Sequence, residues 1–208
     1  MTLSRQLVAK LRSLPSAAVP AGVREAAKLH LLDAIGVGLA AAATGAGAPY
    51  LKAAPALNGT GGPATIFGSG DGFAAATAAL ANGGMIHGLE YDDTHTASIV
   101  HGSSVLAASA LAAAESAGAN GDALLTAYIK AWEVLIRTGL AAPGKFQAQG
   151  FQITSVAGVL AAALVAAELF RLDEARNVDA IGIALSQASF WPICLMTRLC
   201  CLKAFTGG

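Results

Sequence analysis

Residues 23–44, VREAAKLHLLDAIGVGLAAAAT, carry the fold assignment. Apolar side chains recur there at spacings of three and four, and alanine and leucine are strong helix formers, so the stretch reads as one long helix. The GAGAP that follows, residues 45–49, ends it. Gly36 and Gly38 weaken the helix and are expected to mark the close approach of another backbone. Towards the N-terminus, Leu3, Leu7, Leu11 and Leu14 keep helical spacing, and Pro15 and Pro20 punctuate a short first helix. Beyond the long helix, residues 53–72 are rich in Gly, Pro, Asn and Thr and read as a loop carrying one short extended piece, ATIF. From residue 72 onward, alanine-rich blocks with helical spacing recur: FAAATAALANGGMIHGLEYDD, SSVLAASALAAAESAG, GDALLTAYIKAWEVLIRTGLAA, TSVAGVLAAALVAAELF and VDAIGIALSQAS. Asp122 and Asp173 stand at helix starts, where a carboxylate satisfies free backbone N–H groups. No β-branched alternation is long enough for a sheet. The expected fold class is therefore all-α, a multi-helix bundle of antiparallel neighbours joined by short connections.

The 208 residues suit one large domain with a real core. Hydrophobic residues make up 55% and charged residues 12%, well short of the quarter usual for soluble domains, which fits closely packed helices. Thirteen basic side chains balance thirteen acidic ones, so no long-range field draws in nucleic acid or an anionic membrane surface, and neither partner is expected. The longest apolar stretch, GVLAAALVAAELF, falls short of the roughly 18 uninterrupted residues of a membrane span. Arg5, Lys10, Arg12 and Arg24 precede any acid, a superficial presequence pattern, but the leucine spacing continues through them as a helix. All three cysteines, Cys194, Cys200 and Cys201, lie near the C-terminus, so neither a disulfide framework nor a paired zinc motif is available and a cytoplasmic setting is expected. GTGG and GSGDG lack the spacing of a dinucleotide or phosphate loop, so no nucleotide cofactor is expected.

The ionisable groups are concentrated in one place. Three of the four histidines fall within fifteen residues, around YDDTHTASIVH at 91–101. A helix ending near Glu90 and another beginning after His101 put this stretch on a connection, where rigid elements hold polar groups over a cleft. Imidazoles titrate near neutrality and neighbouring acids favour their charged form, so the set suits proton transfer beside a carboxylate. The plainer alternative is that Asp92, Asp93 and Thr94 are turn and cap residues, His87 a satisfied helix-flank histidine, and His30 a core or groove residue. Asp and His also bind zinc, but no pair shows the helical spacing of a known site, so no metal is expected.

The blocks LLDAIGVGLA, ATIFGSG, ALANGGMIHGLEYDDTH, VHGSSVLAASALAAAE, GFQITSVAGVLAAALVAA and VDAIGIALSQAS, in that order, resemble the N-terminal half of the MmgE/PrpD family, over roughly residues 5 to 189. That family includes 2-methylcitrate dehydratase, cis-aconitate decarboxylase and iminodisuccinate epimerase types. The resemblance implies a helical domain that works with a smaller α/β lid, usually as a homodimer, without a metal or other cofactor. It also implies a small di- or tricarboxylic acid substrate and proton transfer at a carbon next to a carboxylate, giving dehydration, decarboxylation or epimerisation. By motif position the resemblance makes His101 the proton donor or acceptor and Thr94 a hydrogen-bonder to substrate. Glu90 or Asp93 would orient the imidazole, and Asp93, Gln152 and Ser103 would contact substrate.

This sequence departs from the family pattern at several points. Gln152 stands where many members have histidine; it hydrogen-bonds a carboxylate but exchanges no proton at neutral pH. Glu90 replaces the commoner aspartate and sets the carboxylate one methylene further out. After ALSQAS the family continues through a lysine-bearing segment into the lid, whereas this chain reads FWPICLMTRLCCLKAFTGG. Residues 1–189 are accordingly expected to form the helical domain and 190–208 a divergent tail from a frameshift or truncation, with Lys203 a poor match to the family lysine. Without the lid's cations, Glu90, Asp92 and Asp93 would repel a polycarboxylate, each contact at about 4 Å costing roughly 4 kcal/mol at an effective dielectric near 20. The expected alternative to a lyase or isomerase scaffold is a non-catalytic helical oligomerisation protein.

Overall fold

The computed structural model describes residues 1–188; the expected tail at 190–208, with Lys203 and the cysteines, lies outside the described residues. Nine α-helices appear among the described residues: α1 Leu3–Arg12, α2 Ala21–Thr44, α3 Ala48–Asn58, α4 Ala75–Gly88, α5 Gly102–Ala117, α6 Gly121–Leu140, α7 Lys145–Ala148, α8 Ile153–Leu169 and α9 Glu174–Ser186. The only sheet among them is one antiparallel pair, β1 Ala64–Thr65 with β2 Gly72–Phe73, in the register Ala64 to Phe73. The all-α expectation holds.

The bundle is organised around α5, which packs against α2, α4, α6 and α8. Ten of its sixteen residues are buried, six of them alanine, so the helix is covered on nearly every side. Alanine allows this because it brings neighbouring axes close without leaving polar atoms unsatisfied. The main core gathers Leu106, Tyr128, Leu135, Ile153 and Val165 from α5, α6 and α8. A second cluster around Met85, Ile66 and Phe73 joins α4 to the β-pair, and a third, with Val8, Leu164 and Ile181, closes α1 on α8 and α9. Asn82 fastens α4 to the β1 segment: buried on α4, its amide donates to the Thr65 carbonyl at 2.8 Å and its Oδ1 accepts from Phe67 N–H at 2.9 Å.

Two local expectations fail. Residues 48–58, partly read as loop, form α3, with Pro49 in its first turn and Pro55 inside it. Proline is well suited to a first turn, and the burial of Ala54 against α4 holds the remainder despite the N–H that Pro55 lacks. The glycines of α2 do not receive a backbone. A Cβ on Gly38 would strike the Phe67 ring, and one on Gly36 would meet nothing within 4 Å. Close backbone approach occurs instead at Gly83 of α4, where a Cβ would lie 2.8 Å from the Ser104 carbonyl oxygen of α5.

Helix α2 is, by length and composition, the one described helix apolar enough to cross a membrane. Here it serves as a bundle helix. Ala27, Ala34, Val37 and Ala41 are buried against its neighbours, and its N-terminal half is tied down by Arg24 pairing with Asp122 and His30 with Asp93.

Candidate functional site

The last turn of α4 presents His87, the connection 89–101 carries Asp92, Asp93, Thr94 and His95, and His101 stands immediately before α5. The connection folds on itself. His95 N–H donates to the Val100 carbonyl at 2.9 Å, Ile99 N–H donates to the His95 carbonyl at 2.8 Å, and the His95 ring lies 2.7 Å from Ser98 Oγ. Glu90 and Ile99 take left-handed backbone conformations, φ 52° and 57°, which for a β-branched residue such as Ile99 are strained. One further bond fixes the far end: His101 N–H donates to Thr154 Oγ1 at 2.9 Å, fastening the start of α5 to the start of α8.

Asp92 is the buried centre of one cluster, its side chain 1% exposed. Both its carboxylate oxygens lie 3.1 Å from His87 Nδ1, and Oδ1 lies 3.8 Å from His101 Nδ1. An ionised carboxylate only accepts, so His87 Nδ1 is the donor. The two imidazoles meet edge to face with centroids 5.2 Å apart, and Thr94 Oγ1 sits 3.1 Å from His101 Nδ1. One ligand atom each from His87, Asp92 and His101 lie within 4.8 Å of one another, a set of donors that suits zinc or iron. The hydrogen bonds already described satisfy the same atoms without an ion.

Asp93 organises a second cluster. It accepts from Ser103 N–H at 3.0 Å and Ser103 Oγ at 2.6 Å, and His30 Nδ1 reaches it at 2.7 Å. Because the Ser103 hydroxyl proton is given to Asp93, the Tyr128 hydroxyl, 2.8 Å away, is the donor to Ser103 Oγ. Burial pushes the Tyr128 phenol up to about 12; the Asp93 and Asp33 charges add to that, and hydrogen bonds with Ser103 and Trp132 oppose it.

Two cavities flank the connection. A cleft of about 500 Å³ is lined by His87, His101, Gln152, Thr154 and Ser155 together with Tyr50, Ser104 and small residues of α4 and α5. A smaller one of about 310 Å³, on α2 and α6, is lined by His30, Asp93, Thr94, His95 and Trp132 among mostly apolar neighbours. The larger cleft is lined by residues from the N-terminal ends of both α5 and α8, whose dipoles favour negative charge. Among the described residues, no lysine or arginine lines it.

The structure thus brings His101 and Gln152 into one cleft, with Gln152 Oε1 also capping α8 at 3.4 Å from Thr154 N. Thr94 lines the smaller cavity but bonds the His101 ring, so it stands in the partition between the two. Asp93 faces the smaller cavity and orients His30 rather than His101. Ser103 is 1% exposed, with its hydroxyl committed to Asp93 and Tyr128, and Glu90 is exposed and lines neither cavity. The carboxylate beside His101 is Asp92. The sequence reading did not place Asp92 or His87 among the site residues and kept cap and helix-flank roles as their plainer alternative; the available signal was their closeness in sequence to His101. Thr154 gave no signal, because its partner is a backbone N–H 53 residues away.

Residues 5–195 match the MmgE/PrpD N-terminal domain. The chain is 33% identical over 181 residues to the cis-aconitate decarboxylase-like protein oryM of Aspergillus oryzae, a match covering 82% of this chain and 37% of that protein. It is 30% identical over 180 residues to the cis-aconitate decarboxylase of Aspergillus terreus, covering 82% of this chain and 36% of that protein. The matched region is thus little more than a third of either relative's length. A family match that runs through all nine described helices leaves one assignment: this chain belongs to the MmgE/PrpD family.

Proposed function

We propose that the 500 Å³ cleft binds a di- or tricarboxylic acid and that His101 transfers a proton at the carbon next to a carboxylate, in a lyase or isomerase reaction. The observation that carries this reading is the placement of His101, held by Thr94 and Thr154, on a cleft where two helix N-termini converge. The cis-aconitate decarboxylase relatives favour the decarboxylating form. There the bond to the departing carboxylate breaks, its electron pair stays on carbon, carbon dioxide leaves, and an imidazolium proton is delivered to that carbon. The Gln152 side-chain NH2 and the dipoles of α5 and α8 are suited to hold the remaining carboxylates, and Thr94 to hold the His101 ring.

The test is calorimetric binding and turnover of cis-aconitate and methylcitrate by the purified chain, with His101→Ala as control. Binding that His101→Ala weakens tenfold or more, or carbon dioxide release that it abolishes, supports the reading. Wild type and His101→Ala that are equally inert, with matching circular dichroism, overturn it.

A second reading, a non-catalytic helical protein that pairs with a copy of itself, is favoured by one observation. Leu29 and Leu32 on α2 are each 66% exposed and Leu39 is 48% exposed, an apolar stripe without cover among the described residues. Sedimentation velocity decides it: a dimer that Leu29→Glu with Leu32→Glu converts to monomer supports pairing through α2, and a wild-type monomer removes it.

A further inference from the structure

We infer that His87 is a second proton-handling group of the cleft and that Asp92 is the positioning carboxylate common to both imidazoles. This deepens the carboxylic-acid reading and rests on it for the identity of the ligand, but not for its test.

Several features of the cluster point the same way. His87 and His101 both line the cleft, from the end of α4 and the start of α5. Each turns its Nδ1 edge towards Asp92, at 3.1 and 3.8 Å, so each Nε2 edge is directed away from that carboxylate. Asp92 accepts from His87 Nδ1–H directly, which selects the tautomer in which Nε2 is the basic atom. At His101 the bonded partner of Nδ1 is Thr94 Oγ1 at 3.1 Å, and the Asp92 charge, 3.8 Å away, favours a proton on the same Nδ1 edge through space. Holding Asp92 in place serves both rings at once, and α4 and α5, which carry them, pack so closely at Gly83 that a Cβ there would lie 2.8 Å from the Ser104 carbonyl oxygen. Glu90 and Asp93 are unsuited to this role, one being exposed and the other spent on His30 and Ser103.

Two imidazoles with ring centroids 5.2 Å apart on one cleft extend what it can do. In a dehydration, one neutral Nε2 takes the proton from carbon while the other ring, as imidazolium, protonates the departing hydroxyl, and water leaves. The first ring then releases its proton to solvent and the second takes one up, which restores both. In an epimerisation, one ring removes a proton from carbon and the other returns one. Neither step needs an oxidant or a metal.

The test is nitrogen-15 NMR of the histidine rings in the whole chain without ligand, so that it stands whether or not any acid is turned over. Wild-type His87 and His101, when neutral, should each show predominantly the Nδ1–H tautomer, whereas an unconstrained imidazole in water favours Nε2–H. Asp92→Asn should shift both rings towards Nε2–H and leave His95 unchanged, which serves as the control for an intact fold. Thr94→Val should move His101 alone. Wild-type rings in the Nε2–H form, or Asp92→Asn that moves His87 but not His101, overturn the inference. Nitrogen shifts characteristic of metal coordination, removed by a chelator, also overturn it, since the same three side chains would then be ligands. Failure of cis-aconitate to bind, with the tautomers as expected, counts against the carboxylic-acid reading and leaves the shared carboxylate standing.

Discussion

At the scale of single residues, the connection 89–101 shows how similar side chains acquire different work from their surroundings. Asp92 and Asp93 are neighbours in sequence, yet one turns towards His87 and His101 and the other towards His30, Ser103 and Tyr128. The buried Tyr128 has a measurable consequence. Its folded phenol titrates at about 12 against 10 in the unfolded chain, so between these values the folded state holds a proton that the unfolded state has released. Stability from this group is fully present below pH 10 and is lost as pH rises towards 12. Two units of difference amount to roughly 2 to 3 kcal/mol. Urea titrations at pH 8 and pH 11 should therefore show Tyr128→Phe about 1 kcal/mol less stable than wild type at pH 8, from the lost bond to Ser103, with the gap closing or reversing at pH 11. An unchanged gap at the two pH values would mean that the phenol is not buried in the solution structure.

At the scale of elements, glycine separates two kinds of helix contact. Gly83→Ala puts a Cβ 2.8 Å from the Ser104 carbonyl oxygen, a backbone atom that moves only if α4 and α5 part. The expected cost is about 1 to 2 kcal/mol after the gain in helix propensity, seen as a fall in Tm of about 3 to 8 °C. Gly36→Ala meets nothing within 4 Å and should stabilise α2 by up to about 1 kcal/mol, so the two variants should move Tm in opposite directions. Sequence alone located the helices of the alanine-rich blocks because spacing, helix propensity and short connections all agreed. It lost α3 because proline and glycine there signal a break, while the burial of Ala54 that overrides the signal is tertiary. It likewise misassigned the close backbone approach to α2, since a glycine's neighbour is set by how helices cross and not by its own helix. His101 and its partner Thr94 were legible from the motif; the Asp92 link was not, because adjacent aspartates differ only in the direction the loop gives them.

At the scale of the whole molecule, the charge distribution sets what the cleft can hold. The chain is neutral overall, and among the described residues no lysine or arginine lines the 500 Å³ cleft, so attraction for an anion to these residues rests on the N-termini of α5 and α8 and on the two histidines. Helix ends contribute only about 0.3 to 1 kcal/mol each at exposed sites, which makes a millimolar dissociation constant the natural expectation for a tricarboxylate on this chain alone. A single added cation should then dominate. Ser155 lies on the cleft wall in the first turn of α8, and Ser155→Lys brings one positive charge to within about 7 Å of a bound acid. At an effective dielectric of about 40 each facing carboxylate gains roughly 1 kcal/mol, so cis-aconitate should bind about tenfold more tightly by calorimetry in low salt. Most of that gain should vanish in 0.5 M sodium chloride, where screening shortens the reach of the added charge to a few ångströms. A lysine that leaves affinity unchanged in low salt would place the acid elsewhere, because no anion seated against the start of α8 escapes a new charge on its first turn.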